Sequence, residues 1–454
     1  MRISINHKIL PKAVIIYGLG RAGKTVSQFL LDKGVKVFAY DDNPEIQEEA
    51  TVRKLRQNPN FKFLPKPNSV INQTEIDMII VSPGVSDQVP LLQTLKNKKI
   101  PIIDEIEFTA QFIAKPIIAI TGTNGKSTTT ALIASILTTD GKNVFAGGNL
   151  APGQPFSSAL LADEKDFYVV EVSSFQLERC YSFSPHIALL LNITEDHFDR
   201  HHSKEEYVAL KFRLVAHQKK NDFAIVNFDD PIIKANLNKI PAKTFYFSIE
   251  RVVDGTYCQD EMIYYQGEPV LSVAEIKIPG KHNLKNVLAA ICATKIIGVE
   301  NSSIEAAITK FTGLPHRLEL IREIDGIRYI NNSMCTNPEA AINSLQAVPK
   351  PIILITGGKE KKLEIADYLR AIVGNAKYTI LIGENRYRLK QALIKLNYKD
   401  LAVADSLEMA IAIARQKATK GDTVLFSPGF ASFDSYANFI ERGEAFRNAI
   451  NNLA

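Results

Sequence analysis

Two glycine-rich turns follow short apolar runs and open helical patterns. The first is Gly18-Leu19-Gly20-Arg21-Ala22-Gly23, after the run Ala13–Tyr17. Glycine lets the backbone approach a pyrophosphate, and the free N–H groups of the following helix attract an anion. Asp41 ends the next apolar run, where its carboxylate can accept hydrogen bonds from a ribose or a base. The pattern predicts nucleotide binding, with NAD as the default ligand of the motif and a turn without a ligand as the alternative.

The second turn is Gly122-Thr123-Asn124-Gly125-Lys126-Ser127-Thr128, after the run Ile117–Ile120. Its backbone N–H groups can cradle phosphates, Lys126 can neutralise them, and the Ser127 hydroxyl can bind Mg²⁺. Ile120 stands where the general P-loop has its first glycine, but the Gly-x-x-Gly-Lys-Ser core is present. The strand context therefore favours a nucleoside triphosphate site over a chance Gly-Lys-Ser sequence.

Two later segments carry side chains suited to a metal ion. Glu171 ends an apolar run, where a carboxylate beside a phosphate loop is well placed for Mg²⁺; the alternative is a surface glutamate. The segment Asn192–His202 holds three of the eight histidines, including His197. It has no regular second cluster for zinc, so we favour work on a hard metal or phosphate. A polar loop of hydrogen-bonded histidines is the alternative.

Composition and charge exclude several classes of protein. The 454 residues allow two to four domains, and the apolar fraction of 46% supports ordinary cores. The 54 basic residues barely exceed the 49 acidic ones, and no basic run is long enough for a nucleic-acid arm. The four cysteines are scattered, and no signal-peptide or bilayer-spanning run is present. We expect a cytoplasmic monomer that acts on small molecules and binds neither nucleic acid nor membrane.

Apolar runs rich in valine and isoleucine alternate with helical patterns along the chain. Strands that are apolar on both faces belong to parallel sheets covered by helices, so the alternation predicts an α/β fold. Glycine and proline divide the chain into three blocks, 1–114, 115–313 and 314–454. We predict Rossmann-like domains for the first and third blocks and a P-loop domain for the second. Polar stretches within Val252–Ser272 suggest β-hairpins that extend the middle domain.

Five segments together resemble the Mur ligase family. They are Gly122–Thr128, Glu171–Glu178, Thr194–His201, Phe311–Arg317 and Ser427–Asp434, in the family's order. The resemblance as a whole extends over nearly the whole chain. They are most similar to the member that adds D-glutamate to UDP-N-acetylmuramoyl-L-alanine. The resemblance implies an ATP- and Mg²⁺-dependent amide ligase of peptidoglycan synthesis. Its three domains would hold the UDP end, ATP and glutamate, so UDP replaces NAD as the expected ligand of the first turn.

The resemblance also implies roles for individual residues. The catalytic set is Lys126, Glu171, His197 and Lys211, with Lys211 carbamylated near a second Mg²⁺. The metal ligands are Ser127, Glu171 and His197. The ATP contacts are Gly122, Thr123, Asn124, Gly125, Lys126, Ser127, Thr128, Asn283, Asn286 and Arg317. The UDP-substrate contacts are Gly18, Gly20, Arg21, Ala22, Asp41, Ser82, Gly84 and Asn149. The glutamate contacts are Thr336, Lys361, Ser432, Phe433 and Phe439.

Two positions depart from the family's pattern. Asn332 stands in place of an aspartate and Met334 in place of a lysine. These changes leave open a sister ligase that adds L-glutamate or another amino acid, and a homologue that binds nucleotide without catalysis. Folylpolyglutamate synthase is a more distant alternative, but it lacks the first, UDP-type domain. We expect Lys361, helped by Lys359 or Lys362, to supply the charge that Met334 lacks.

Overall fold

The computed structural model describes residues 10–65, 75–85, 89–150, 153–194, 203–278, 280–360 and 365–453. It has three α/β domains with largely parallel sheets, which confirms the predicted fold class. By internal contacts the chain forms two compact units, Met1–Phe311 and Thr312–Ala454, so the first two domains share a unit. Within the described ranges, no helix is both long and apolar enough to cross a bilayer. The boundaries at residues 114 and 313 stay predictions.

The first domain is a five-stranded parallel sheet in the order β3-β2-β1-β4-β5. All residues of β1 and β4 are buried because helices cover both faces of the sheet. The strands are β1 (Ala13–Tyr17), β2 (Lys36–Tyr40), β3 (Phe61–Phe63), β4 (Met78–Val81) and β5 (Ile102–Ile103). The helices are α1 (Arg21–Asp32), α2 (Ala50–Leu55), α3 (Pro90–Asn97) and α4 (Glu105–Ala110), with a 3₁₀ helix at Pro44–Glu48.

The middle domain has a nine-stranded sheet in the order β14-β13-β12-β11-β10-β9-β6-β8-β7. Its last three strands in sequence pair antiparallel, as the hairpin prediction required. The strands are β6 (Ile117–Thr121), β7 (Val144–Gly148), β8 (Phe167–Glu171), β9 (Ile187–Leu190), β10 (Phe223–Asn227), β11 (Lys243–Ser248), β12 (Gly255–Gln259), β13 (Met262–Tyr265) and β14 (Glu268–Ser272). The helices are α5 (Lys126–Thr139), α6 (Ser174–Leu177), α7 (Lys204–Ala216), α8 (Pro231–Ala235), α9 (Lys281–Ile296) and α10 (Asn301–Ile308), with 3₁₀ helices at Phe156–Leu161, Leu237–Lys239 and Val273–Glu275.

The third domain has a six-stranded sheet in the order β15-β16-β20-β17-β18-β19. Only the edge strand β15 is antiparallel to its neighbour; the sequence did not predict this strand. The strands are β15 (Glu319–Ile324), β16 (Ile327–Asn331), β17 (Ile352–Gly357), β18 (Ala376–Ile382), β19 (Leu401–Val403) and β20 (Thr423–Phe426). The helices are α11 (Pro338–Ala347), α12 (Ala366–Asn375), α13 (Arg386–Lys395), α14 (Leu407–Lys417) and α15 (Phe439–Asn451).

Candidate active site

The phosphate loop lies between β6 and α5, at the carboxyl edge of the middle sheet. Gly122 and Gly125 have φ of +156° and +87°, where a side chain would be strained. The loop is tied to the end of β9: the Asn124 N–H donates to Asn192 Oδ1 (2.8 Å) and Asn192 Nδ2 donates back to the Asn124 carbonyl (3.0 Å). Thr123 N–H also donates to the Asn192 carbonyl (2.9 Å). The loop is therefore held in shape by its neighbouring strand.

Lys126, Ser127 and Thr128 begin α5 at this loop. The Lys126 ammonium donates to the carbonyls of Gly122 (2.9 Å) and Thr123 (2.8 Å), so it lies across the loop. Ser127 and Thr128 are buried in the first turn of the helix. A cation and free helix N–H groups at one point attract a polyanion such as a triphosphate.

Glu171 ends β8, the strand beside β6. Its side chain is only 2% exposed, and its Oε1 accepts from Asn149 Nδ2 (2.8 Å). Within the described part of the chain, Glu171 Oε2 is buried and has no hydrogen-bond partner. A buried carboxylate oxygen without a partner is costly, and a hard cation such as Mg²⁺ would satisfy it. Glu171, on the strand beside the one that leads into the loop, and the buried Ser127 therefore fit the ion by donor chemistry.

Asn149 follows β7, and its backbone is held by β8, the strand that ends at Glu171. Its N–H donates to the Glu171 carbonyl (2.9 Å). Gly148 has φ of +90°, and a Cβ there would lie 2.2 Å from the Glu171 carbonyl oxygen. The close approach of the two strand ends brings Asn149 and Glu171 together, as expected for groups of one site.

Asn283 and Asn286 lie in the first turns of α9. Asn286 Nδ2 donates to Asn283 Oδ1 (3.2 Å). Asn286 is buried, and a Cβ on Gly125 would lie 2.2 Å from its Oδ1. The amide of Asn286 thus packs directly against the phosphate loop, and its contact with adenine stays a prediction.

Helix α7 carries Tyr207 and Lys211 to the same edge. Tyr207 Oη is 3.1 Å from Thr123 Oγ1, and the hydroxyl of Thr123 also accepts from the Thr194 N–H (3.0 Å). Lys211 is 1% exposed, and its Nζ lies 4.6 Å from the centre of the Tyr207 ring. The lysine is therefore buried next to Tyr207, which in turn contacts Thr123 of the phosphate loop. His197 lies outside the described residues.

The first glycine-rich turn lies at the point where the strand order of the first sheet reverses, between β1 and β4. Gly18 has φ of +97°, and a Cβ there would lie 2.5 Å from Ser82 Cβ. A Cβ on Gly23 would lie 2.0 Å from the Gly18 carbonyl oxygen, so only glycine lets α1 start this close. Gly20, Arg21 and Ala22 lie between these two glycines at the start of α1. Open α/β sheets bind ligands in such a crevice.

Asp41 and the turn at Gly84 complete this crevice. Asp41 Oδ2 accepts from the Leu19 N–H (2.6 Å) and Oδ1 from the Asn43 N–H (2.9 Å). The carboxylate thus shapes the turn itself, and its remaining lone pairs can accept from a ligand. Arg21 Nη1 donates to the Gly153 carbonyl of the middle domain, which brings the turn toward the loop that begins at Asn149.

In the third domain, Arg317 lies in a strained turn. His316 and Leu318 on either side of it have φ of +63° and +45°. His316 is buried, with Nδ1 3.1 Å from Asn331 Nδ2 and Nε2 3.3 Å from Glu444 Oε1. Burial and the nearby Arg447 lower the pKa of His316. Because neighbours on both sides fix the backbone, the position of Arg317 is well defined.

Four of the predicted glutamate contacts, Thr336, Ser432, Phe433 and Phe439, lie on segments that converge at the carboxyl edge of the third sheet. Buried Arg442 links them: its Nη2 donates to the Ser333 carbonyl (2.8 Å) and its Nη1 to the Phe430 carbonyl (3.0 Å). Ser333 Oγ donates to the Phe439 carbonyl (2.8 Å). Thr336 follows the first segment, and Ser432 and Phe433 follow the second. A cavity of about 460 Å³ lies here, lined by Gly358, Lys359, Glu384, Phe433 and Arg442 among others.

Lys359 begins the lysine-rich loop beside this cavity. Its N–H donates to the Ala431 carbonyl (2.9 Å), and its Nζ pairs with Glu384 Oε2 (2.9 Å). The hydrogen bond and charge of Glu384 raise the pKa of Lys359. Lys361 and Lys362 lie outside the described residues. Lys359 is already neutralised by Glu384, which makes it the weaker candidate for the charge that Met334 lacks.

Asn332 is a buried structural amide rather than a group that faces a ligand. Its Nδ2 donates to Ser344 Oγ (2.6 Å) and Ser427 Oγ (3.1 Å), and its Oδ1 accepts from the Leu318 N–H (3.1 Å). Since Ser344 Oγ donates to the Ala340 carbonyl (2.7 Å), it must accept from Asn332. This chain therefore uses the asparagine amide as a donor, which an aspartate could not do.

Sequence reasoning gave no role to Asn192 and Tyr207, which fix the phosphate loop. Asn192 could have been found from its position just after β9, a buried strand that pairs with β6, which leads into the phosphate loop. Tyr207 gave no comparable signal because its contact with Thr123 spans 84 positions of sequence.

Family models match all three domains in order. The Mur ligase MurD-like N-terminal domain matches residues 12–104, the Mur ligase middle domain residues 120–294, and the Mur ligase glutamate ligase domain residues 316–430. A UDP-N-acetylmuramoylalanine–D-glutamate ligase of Caldanaerobacter subterraneus subsp. tengcongensis is 37% identical over 447 residues, covering 97% of this chain and 98% of the relative. The ligase of the same name from Thermoanaerobacter sp. (strain X514) is 36% identical over 451 residues, with the same coverage.

Solved structures show the same fold. The UDP-N-acetylmuramate-alanine ligase of Thermotoga maritima aligns with a TM-score of 0.59 and 19% identity, covering 97% of this chain and 99% of that one. A MurF ligase of Thermotoga maritima in complex with ADP aligns with a TM-score of 0.55 and 18% identity, covering 84% and 90% of the two chains. This chain belongs to the Mur ligase family, whose members are ATP-dependent amide-bond ligases. The full-length relatives named above place it with the ligases specific for D-glutamate.

Proposed function

We propose that this chain joins D-glutamate to UDP-N-acetylmuramoyl-L-alanine with hydrolysis of ATP, as a step of peptidoglycan synthesis in the cytoplasm. The observation that carries the proposal is the agreement of two features. Ligases of that name match the chain from end to end. In addition, the described phosphate loop has a buried carboxylate with a free oxygen on the adjacent strand.

The reaction needs activation because a carboxylate is a poor electrophile. The carboxylate oxygen of the L-alanyl end attacks the γ-phosphorus of ATP, the bond to the β-phosphate oxygen breaks, and ADP leaves. The glutamate amine then attacks the acyl phosphate, loses a proton, and the tetrahedral intermediate expels inorganic phosphate. Charge builds up on the transferring phosphoryl group, and Lys126 with the loop N–H groups is placed to neutralise it.

Ser127 and Glu171 would hold Mg²⁺ at the phosphate loop, with His197 at a second ion. Bound Mg²⁺ supplies charge neutralisation at the phosphoryl oxygens. Besides its predicted contact with the UDP-substrate, Asn149 would orient Glu171, since its side-chain amide donates to one carboxylate oxygen and leaves the other free. The backbone of Asn149 is held by the same strand through its N–H bond to the Glu171 carbonyl.

Lys211 is proposed to act as a carbamate near the second metal. Its amine would attack CO₂ and lose a proton, which turns a cation into an anion able to approach Mg²⁺. A free lysine would stay cationic at neutral pH, with a pKa near ~10.4, and would repel the metal. Its burial beside Tyr207 provides the enclosed setting that a stable carbamate requires.

The remaining roles divide between the first and third domains. The turn at Gly18–Gly23, with Asp41, Ser82 and Gly84, would hold the uridine diphosphate. In the third domain Thr336, Ser432, Phe433 and Phe439 would surround glutamate, and Lys361 would pair with its carboxylate. Arg317 would contact phosphate. We expect the enzyme to act as a monomer on these small molecules, away from nucleic acid and membrane.

The test is phosphate release from ATP with purified chain, UDP-N-acetylmuramoyl-L-alanine and either D- or L-glutamate. We expect turnover that requires Mg²⁺ and D-glutamate, with an amide product confirmed by mass. Turnover only with L-glutamate or another amino acid would favour a sister ligase, which the substitution at Met334 makes the second candidate. No turnover with any amino acid, while ATP still binds, would favour the non-catalytic homologue and refute the proposal.

A further inference from the structure

Arg179 of the middle domain is one of the largest fully buried side chains in the described ranges, at 1% exposure. It lies just after α6, on the segment that continues from Glu171. A buried guanidinium is expensive unless its donors find acceptors. Arg179 Nη2 donates to the carbonyl of Val85 at 2.6 Å, in the first domain and 94 positions away in sequence. The side chain therefore crosses from one domain to the other.

Val85 closes the turn that carries Ser82 and Gly84. The Val85 N–H donates to the Ser82 carbonyl (3.0 Å), and the Ser82 N–H donates to the Tyr17 carbonyl (2.8 Å). On its other side Ser82 packs against Gly18, where there is no room for a Cβ. The turn Ser82–Val85 thus lies between Gly18 of the first domain and the Arg179 guanidinium of the middle domain.

The backbone that carries Arg179 is also fixed. A capping box between Ser173 and Gln176 starts α6, and the Arg179 N–H donates to the Gln176 carbonyl (3.3 Å). The Arg179 carbonyl accepts from the N–H of Asp104 (3.2 Å), the residue after β5 of the first domain. The arginine therefore contacts the first domain both through its side chain and through its backbone.

Neighbouring carboxylates make the same junction rigid. Glu105 accepts from the N–H groups of Phe156 (3.2 Å) and Ser157 (2.8 Å). Glu107 accepts from the N–H groups of Ser182 (3.0 Å) and Phe183 (3.0 Å). These bonds fix α4 to the middle domain, whereas the Arg179 side chain contacts the turn at Ser82–Val85 directly. Its effect on that turn can therefore be tested separately from the general stability of the junction.

We propose that Arg179 is a positioning residue that sets the turn Ser82–Val85 for the uridine diphosphate end of the substrate relative to the edge that bears Glu171. The inference rests on the proposed function. It predicts a selective effect: loss of the guanidinium weakens the hold on the nucleotide-linked substrate, while the ATP site is untouched.

The experiment compares Arg179→Ala, Arg179→Lys and Arg213→Ala. Arg213 is a matched control, because its Nη1 donates to the carbonyls of Leu177 (3.1 Å) and Glu178 (2.6 Å) within the middle domain. We expect Arg179→Ala to raise the KM for UDP-N-acetylmuramoyl-L-alanine at least tenfold and to leave the KM for ATP within twofold. Calorimetry should show the same loss for UDP alone as the probe. The lysine variant should recover part of the affinity, since it can still reach one carbonyl.

Hydrogen exchange supplies a second readout, independent of turnover. The Val85 amide should exchange faster in Arg179→Ala than in the parent and no faster in Arg213→Ala. Equal KM changes in the two alanine variants, or a lower melting temperature of Arg179→Ala with unchanged KM and exchange, would overturn the inference. An inactive parent would refute the proposed function and the inference together, whereas an active parent with an unaffected Arg179→Ala would refute the inference alone. If the alanine variant does not fold, the same comparison is decided with Arg179→Lys.

Discussion

Replacement of Glu171 by glutamine tests the metal site without the need for turnover. The two side chains have nearly the same shape, and Asn149 Nδ2 can still donate to the remaining oxygen. The substitution removes the charge from a group that is 2% exposed and whose Oε2 has no partner in the described chain. An unsatisfied buried acceptor costs about 1–3 kcal/mol, and more if charged. Without metal, we therefore expect Glu171→Gln to be more stable than the parent.

The magnitude follows from the size of the unit. A change of 1 kcal/mol shifts the melting temperature by about 2–4 °C for a domain the size of the predicted middle domain. The metal-free variant should therefore melt at least about 2 °C above the parent. Addition of Mg²⁺ at ten times its Kd should stabilise the parent by about 1.4 kcal/mol, or roughly 3–6 °C, and should leave the variant unchanged. Turnover of the variant should fall sharply. The Glu171 carboxylate thus lowers the stability of the metal-free protein and binds the metal ion.

Differential scanning fluorimetry with and without Mg²⁺ measures both effects. Glu268→Gln is the control, because Glu268 is exposed on β14, away from the phosphate loop. It should keep the stabilisation by Mg²⁺ in full. An equal response to Mg²⁺ in Glu171→Gln and the parent would show that the ion binds elsewhere. A metal-free variant that melts well below the parent would show that Glu171 Oε2 is satisfied in the protein.

Four further outcomes are expected. Lys126→Ala should lose at least ~90% of turnover in the phosphate-release assay, about 1.4 kcal/mol of barrier, and keep its melting temperature within a few degrees; a variant with more activity would refute the role of the lysine. Burial raises the pKa of Glu105 to about 6, so its folded form holds a proton more tightly than the unfolded chain. The stability of the parent relative to Glu105→Gln should therefore increase by about 1 kcal/mol as the pH falls from ~7 to ~5, measured by urea unfolding; a decrease would contradict the sign. Asn332→Asp should destabilise the protein by about 1–3 kcal/mol in the same measurement, because Ser344 and Ser427 lose a donor, and unchanged stability would refute the assigned amide orientation. Lys361→Ala should raise the KM for glutamate strongly with little change in the KM for ATP; equal kinetics would leave Met334 uncompensated.

The fold was predictable because its signals are local. The buried strand Ala13–Tyr17 is apolar on both faces, and its predicted bounds agree with those observed. The edge strand β15 was missed because it alternates exposed and half-buried residues, including Glu319 and Arg322, without a strong apolar signal. Tertiary pairing with β16 decides its conformation.

The site was predictable as far as its motifs are contiguous in sequence. The loop Gly122–Thr128 and Glu171 could be placed at strand ends, and parallel strands bring such ends to one edge. Contacts between distant residues left no comparable signal. The donor role of Asn332 depends on Ser344 and Ser427, 12 and 95 positions away, so the sequence showed only a departure from the family's aspartate.

The carboxylates of α4 also set an order for folding during synthesis. The backbone N–H groups that donate to Glu105 lie 51 and 52 positions later in the sequence, and those that donate to Glu107 lie 75 and 76 positions later. They are therefore synthesised after the glutamates. At about 5–20 residues per second, Glu107 remains without these donors for roughly 4–15 s after it is made. The first domain therefore emerges from the ribosome before the hydrogen bonds that fix its last helix to the middle domain can form. A fragment cut at residue 114 would keep both glutamates and lose every one of these donors, so Phe311 is the sounder end point for an isolated piece.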